Sequence, residues 1–541
     1  MGTTMRALSR QGLVEESRGS QGSLHGEGLM GGASPLASSP PALSMPGPFA
    51  PLPSPTGPHH GRAATVGAIN AVVGLPVMAS FAAIIFRDPF FQPYMGSLVK
   101  VVLLCAALHQ FLFAALSALP YAVGQVQDVG LIFLSAAASG IVHELTKHPG
   151  EGSAEPRDVL ATCLVALTAA TAVVGVLIIL TGLLRLASFV QYVPLPVIGG
   201  YLAFVGYFCS LAGLGLATGV DVSGGAWKEL LRQDSLVRLL PALAAVAVLA
   251  MVQRRFDSPL ALPAALVLIP AAFYAALFLS GHSLEDARAA GWVSQPQPGL
   301  EHWRAADAWA MLGLGGTGPA PRIFWRALPG QAGKIFALYF VVAFGSSMDV
   351  AAIQAESPTP LDYNSELVTV GWSNLLTGLT GFGYTGSYIF SQTLFSMRAG
   401  VDSPVMGLVV GSFELALFLL PVDVLALLPN LLFGSLVLWI GQDIVKDWLF
   451  IAAKRVSATE YALLLGTFGA ITLLGLEVGI LAGILAAAVH FAWAYARVTL
   501  TPFHVVPSRS AALRARLERR VLRQFAPRVQ ACALQGYLFF G

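Results

Sequence analysis

From Arg62 onward the chain is a succession of apolar runs, each about 20 residues long, with little between them. A soluble core cannot absorb so many. In a bilayer each run satisfies its own backbone hydrogen bonds by coiling into a helix, so this pattern confines the chain to one solvent and nearly to one element type. About fourteen runs are expected. The first half supplies Ala64 to Phe86, Ser97 to Leu119, Asp128 to Leu145, Asp158 to Leu186, Val193 to Ala217, Ser235 to Arg254 and Pro259 to Ser280. The second supplies Gly333 to Ala352, Asn364 to Phe382, Gly386 to Met397, Ser403 to Pro421, Val424 to Ile444, Glu460 to Leu476 and Val478 to Ala496. With 55% hydrophobic and 11% charged residues and a mean hydropathy of +0.70, the chain has too little polar surface for a soluble protein of its size. The expected fold class is an all-α polytopic membrane protein.

The formal charge of +2 argues neither for nucleic acid nor for a strongly acidic partner. Cys105, Cys163, Cys209 and Cys532 form no CxxC pair, so neither a metal site nor a disulfide framework nor any cofactor is indicated. Residues 1–62 are rich in Ser, Pro and Gly and hold no run long enough to span, which reads as a disordered tail. Connections after even-numbered runs carry Arg185, Arg254, Arg255, Arg398, Lys446, Lys454 and Arg455, and this bias places both termini in the cytosol. Arg87, Lys147 and Arg157 in odd-numbered loops oppose it. The long loop from Gly281 to Gln331 offers no recognisable chemistry.

Two runs break the pattern in corresponding halves. The third opens with GQVQDVGLIFLSAAASG and the tenth with GYTGSYIFSQ, inside the Gly381–Gly400 stretch GFGYTGSYIFSQTLFSMRAG. Polar backbone at membrane depth survives only when buried in protein or lining a cavity. Seven runs apart, these segments suggest repeats, with half-helix amino ends converging on a midplane site where free amides and the helix dipole favour an anion.

The segment LDYNSELVTVGWSNLLTGLTGFGYTGSYIFSQTLFSMRAGVDS resembles the SulP family of anion transporters and permeases, with Asp362, Asn364, Glu366, Leu367, Gly371, Asn374 and Gly378 in matching places. The likeness extends to QYVPLPVIGGYLAF, GLPVMASFA and LEVGILAGI. It implies seven plus seven inverted repeats over residues 63–500, with a core domain rocking against a gate domain, half-helices at spans 3 and 10, and a homodimer. Residues 501–530 read as a basic cytosolic linker. VQACALQGYLFFG is similar to the opening of the cytosolic STAS domain of that family, so 531–541 is expected to be the start of such a domain, cut short at Gly541.

Departures from the family pattern bear on the substrate. Where the resemblance implies an Arg after the serine of the tenth helix, the chain reads Ser391, Gln392, Thr393. Asp128, Val129 and Gly130 replace a Gly-Pro opening of the third helix, and Asp349 sits about one turn beyond the expected acid, near Ser346. If both carboxylates reach the cavity ionised, they oppose helix-end partial charges of about half a unit each, and a dianion is poorly served. Either a carboxyl is protonated, coupling anion uptake to protons, or the cargo is neutral, zwitterionic or cationic. Asp349 is the expected coupling residue, its alternative being a structural acid bonded to Ser346 or Ser347; for Asp128 the alternative is a helix cap. Candidate substrate-binding residues are Phe81, Asp128, Gly130, Thr385, Gly386, Ser387, Ser391 and Gln392, with Ser387 and Ser391 one turn apart and Thr385 at the helix entrance. Glu414 and His490 lie in apolar runs without an identifiable partner.

Three functions follow. The first is secondary transport of a small anion of the sulfate or bicarbonate class by alternating access. The second is proton-coupled carriage of a cationic or zwitterionic metabolite such as a basic amino acid, and the third a non-transporting membrane sensor or scaffold. No nucleophile-base pair, metal cluster or phosphate loop points to an enzyme. Plasma membrane and endomembrane remain equally open.

Overall fold

The computed structural model describes residues 60–147, 155–186, 194–220, 222, 227–256, 260–314, 320–357, 361–496, 503–506, 516–525 and 531–534. Residues 1–59 of the expected tail lie outside them, and His60–Arg62 already belong to the first helix.

A helix occupies each of the fourteen expected runs. The first half holds α1 (His60–Ile85), α2 (Met95–Leu116), α3 (Leu131–Thr146), α4 (Pro156–Leu183), α5 (Leu195–Thr218), α6 (Gln233–Arg255) and α7 (Ala261–Leu279). The second holds α8 (Ala332–Glu356), α9 (Tyr363–Leu379), α10 (Phe390–Arg398), α11 (Val405–Leu419), α12 (Asn430–Val445), α13 (Ala458–Leu474) and α14 (Leu476–Ala496). Among the described residues, nine helical segments are long and apolar enough to cross a membrane by length and composition. The run expected from Val424 is interrupted: a single turn, Val424–Leu427, precedes Pro429, and the helix proper starts at Asn430.

Packing sorts these helices into two bundles. In the first, α4 lies along α9 and α2 along α11, with α1 against α11. These two pairings exchange under a seven-helix shift, as inverted repeats require. In the second, α5 lies along α12, α13 against α5 and α14, and α6 against α12.

Glycines set how closely the paired helices approach. A Cβ on Gly175 of α4 would lie 2.4 Å from the backbone nitrogen of Leu375, and one on Gly441 of α12 would lie 2.7 Å from the carbonyl oxygen of Gly206. Backbones in lipid gain nothing from hydrophobic exclusion, so such close contact is what holds them together.

Two short strands lie inside the first bundle. β1 (Gly124–Val126) pairs antiparallel with β2 (Gly386–Tyr388) in the register Gly124↔Tyr388, Gln125↔Ser387 and Val126↔Gly386. The sequence places the tenth run from Gly386 and the third from Asp128. The structure corrects both starts, because residues 386–388 are consumed by strand pairing and Asp128–Gly130 form a 3-10 turn ahead of α3.

The loop after α7 is folded and stitched to both bundles. On the second, Asn430 N donates to Trp292 O at 2.8 Å and Arg288 reaches Ala426 O at 3.0 Å. On the first, Gln297 Nε2 bonds Ser97 Oγ at 2.7 Å, Trp303 Nε1 bonds Phe418 O at 2.8 Å, and Arg322 N bonds Asp158 Oδ1 at 3.0 Å.

Beyond α14, β3 (Phe503–Val506) pairs antiparallel with β4 (Ala531–Leu534), and α15 (Arg516–Phe525) lies between them in sequence. The stretch read as a linker thus contributes a strand and a helix. The remaining residues of the expected STAS opening, 535–541, lie outside the described residues.

Candidate functional site

Strands at membrane depth leave backbone groups that no lipid can satisfy, and an unpaired buried amide is costly. Here the neighbouring helices supply the partners. Asn374 of α9 clamps Gly386 on both sides, its Oδ1 accepting from Gly386 N and its Nδ2 donating to Gly386 O, each at 2.8 Å. Gln110 of α2 does the same work on the other strand, accepting from Gly124 N and donating to Ala122 O at 3.2 Å. His109 Nε2 meets Tyr384 O at 2.8 Å, and Thr393 Oγ1 accepts from Val123 N at 3.1 Å. Backbone bonds from Gln127 N to Thr385 O and from Ile389 N to Val123 O extend the ladder at both ends.

From this crossing α3 and α10 run away in opposite chain directions, so their amino ends meet at one place. Gly130 and Thr385 touch there: a Cβ on Gly130 would lie 2.4 Å from Thr385 Oγ1. Gly386 faces the His109 ring, which a Cβ would meet at 2.6 Å. Ser387 is fully buried and its Oγ donates to Ser346 Oγ of α8 at 2.7 Å. That brings α8, the helix of Asp349, against the crossing. Asp128 and Asp349 are both half-buried, and α8, which carries Asp349, packs against the Asp128–Gly130 turn. Among the described residues neither has an ion pair with a basic side chain.

The serines expected to satisfy Asp349 are engaged otherwise: Ser346 Oγ donates to Val342 O and Ser347 Oγ to Ala343 O. Phe81 is buried in the apolar core of the first bundle. Gln392 is half-buried with its Oε1 unpartnered.

Ser391 is a correction. Its hydroxyl and that of Ser387 were expected on one helix face. Ser387 belongs to β2 and is buried, whereas Ser391 lies in α10 and is exposed, because the change from strand to helix between them breaks the helical spacing.

Among the described residues, buried polar atoms without a protein partner include His109 Nδ1, Gln127 Oε1, Ser135 Oγ, Thr385 Oγ1 and Gln392 Oε1 on the crossing and the helices beside it, and, apart from these on α11, Glu414 Oε2. Native proteins rarely leave such groups unpaired, so their concentration marks a place built to meet a ligand or water. Sequence reading missed His109 and Gln127, and it named Ser346 only as a partner for Asp349. It also left Glu414 without a partner, which the structure supplies: Gln125 Nε2 donates to Glu414 Oε1. A lone polar residue in an apolar run was the available signal. Its destination depends on a strand more than 200 residues away in sequence. Among the described residues no group of His, Cys, Asp and Glu is arranged to hold a metal.

Two bundles, each built from helices of both halves around a crossing of broken spans, define a polytopic membrane fold of two repeats. The comparisons agree. The model of the sulfate permease family matches residues 67–467, and the chain belongs to that family. It is similar to the vacuolar basic amino acid transporter VSB1 of Saccharomyces cerevisiae, 23% identical over 393 residues, covering 71% of this chain and 37% of that protein. It is also similar to the bicarbonate transporter BicA of Picosynechococcus sp., 25% identical over 305 residues, covering 54% of this chain and 49% of that protein. The chain thus spans between about a third and a half of the length of these relatives. Among solved structures, the transmembrane domain of BicA superposes with a TM-score of 0.56 at 19% identity, over 79% of this chain and 97% of that one. SLC26A9 superposes with a TM-score of 0.59 at 16% identity, over 83% of this chain and 68% of that one.

Proposed function

We propose that this chain is a secondary active carrier that moves a small anion of the sulfate or bicarbonate class across a membrane by alternating access, with the β1–β2 crossing as its binding place. The observation that carries this reading is the meeting of the amino ends of α3 and α10 among buried, unpartnered polar atoms. Amide N–H groups and the positive ends of helix dipoles converge there and favour negative charge. Gly130, Thr385, Gly386 and Ser387 form the floor, and Gln392 flanks it. Asp349, on the helix packed against the Asp128 turn, is the proton-coupling group: one proton shared by this pair of acids halves the negative charge an anion meets. The carrier works as a homodimer with both termini cytosolic, a reading that rests on the family and on Arg185, Arg254, Arg255 and Arg398 at the ends of α4, α6 and α10.

A second reading has its own observation. Two acids without a basic partner, with Gln392 where the family has Arg, suit a cationic or zwitterionic cargo, and one relative is named as a basic amino acid transporter.

Uptake into proteoliposomes under an imposed pH gradient separates the two. Labelled sulfate or bicarbonate should accumulate and labelled arginine should not. Arginine accumulation without anion flux replaces the first reading by the second.

A further inference from the structure

On the α11 side the crossing is braced by a contact outside the floor of Gly130, Thr385, Gly386 and Ser387. Glu414 of α11 is fully buried, and one of its oxygens accepts from Gln125 while the other has no partner among the described residues. Gln125 is the middle residue of β1, directly opposite Ser387 in the strand register, and Ser387 in turn bonds Ser346 of α8. Gly74 of α1 closes the other side, where a Cβ would sit 3.2 Å from the Gln125 amide. One carboxyl is therefore linked through one amide to the strand pair and on to the helix that carries Asp349.

We propose that Glu414 is a positioning residue that binds and releases a proton, and that through Gln125 its charge state sets how β1 sits behind the substrate place. The proposal rests on the carrier reading above and adds a second titrating group to it. With a proton on its free oxygen, the acid holds Gln125 by one neutral bond. Without it, the carboxylate accepts a charge-assisted, stronger bond from the same Gln125 amide and draws β1 toward α11.

Among the described residues of the elements packed against α11, no basic side chain is free to neutralise that charge. From α1 the titratable or charged side chains are His60 and Arg62, at the far start of the helix. From α2 they are Lys100, committed to the carbonyl oxygens of Leu417 and Leu420, Cys105, whose thiol donates to Tyr384 O, and His109, engaged with the same carbonyl. β1 has none. The alternative is a silent buried pair that only fixes packing.

The full chain in lipid vesicles decides between them by infrared spectroscopy. The parent should show the carbonyl band of a buried protonated carboxyl that disappears on going from acid to alkaline pH, and Glu414→Gln should lack that component. Gln125→Leu should keep the band and shift the pH at which it is lost. Labelled sulfate or bicarbonate flux in Glu414→Gln should lose the parent's pH profile while keeping its half-saturation concentration at acid pH. An unchanged parent-minus-variant spectrum, or a variant with the parent's pH profile, overturns the proposal. Flux absent from both proteins speaks against the anion reading, and the infrared difference still decides the role of Glu414.

Discussion

At the scale of single residues, the site depends on side chains that stand in for water. Asn374 is the clearest case, because its one amide satisfies both backbone groups of Gly386. Asn374→Leu strands a buried donor and a buried acceptor and should cost about 2 to 4 kcal/mol of stability. Thermal unfolding in detergent would register the loss as a lower midpoint than that of Asn374→Gln, which keeps the chemistry. Gln392 tests selectivity rather than stability. Gln392→Arg replaces an unpartnered amide oxygen with a fixed positive charge and should raise the preference for labelled sulfate over a neutral solute. An unchanged preference removes this position from the lining of the site.

The elements divide by how local their causes are. Every expected run became a helix because length and apolarity are properties of a contiguous window. The broken third and tenth spans were visible too, since Gly124, Gly130, Gly383 and Gly386 interrupt them. What could not be read was that residues 124–126 and 386–388 are strands. Neither triplet has strand-like alternation of any length, and each is extended only because the other is there. The same non-local dependence hid the pairing of Gln125 with Glu414 and the separation of Ser387 from Ser391. Helix approach is governed by glycines at the contact rows of α4 with α9 and α5 with α12. Gly441→Leu would drive a side chain into the backbone of α5 and should destabilise the second bundle by about 1 to 3 kcal/mol, while Gly466→Leu, where a Cβ meets nothing within 4 Å, should be tolerated. Yield of folded protein on size-exclusion chromatography distinguishes the two.

At the scale of the whole molecule, function on this reading requires one bundle to move against the other while their internal packing persists. The helix pairs within each bundle are in extensive contact, whereas α1 makes most of the contact between bundles through α12, α7 and α5. The loop after α7 looked chemically empty in sequence, since its Trp and Gln residues are informative only once Ser97, Phe418 and Asn430 are seen against them. Trp303 both donates to Phe418 O and lies under Lys100, whose Nζ is 5.5 Å from the ring centroid. Trp303→Ala should therefore change the rate of exchange between open states more than the affinity for cargo. Flux measurements would show this as a changed maximal rate at constant half-saturation.

That doubly anchored loop also has a pharmacological meaning. On the carrier reading, an antibody fragment or peptide that grips the Trp292 to Trp303 segment would clamp both bundles at once, acting as a brake on turnover whatever the cargo, and without competing for the place where the cargo rests.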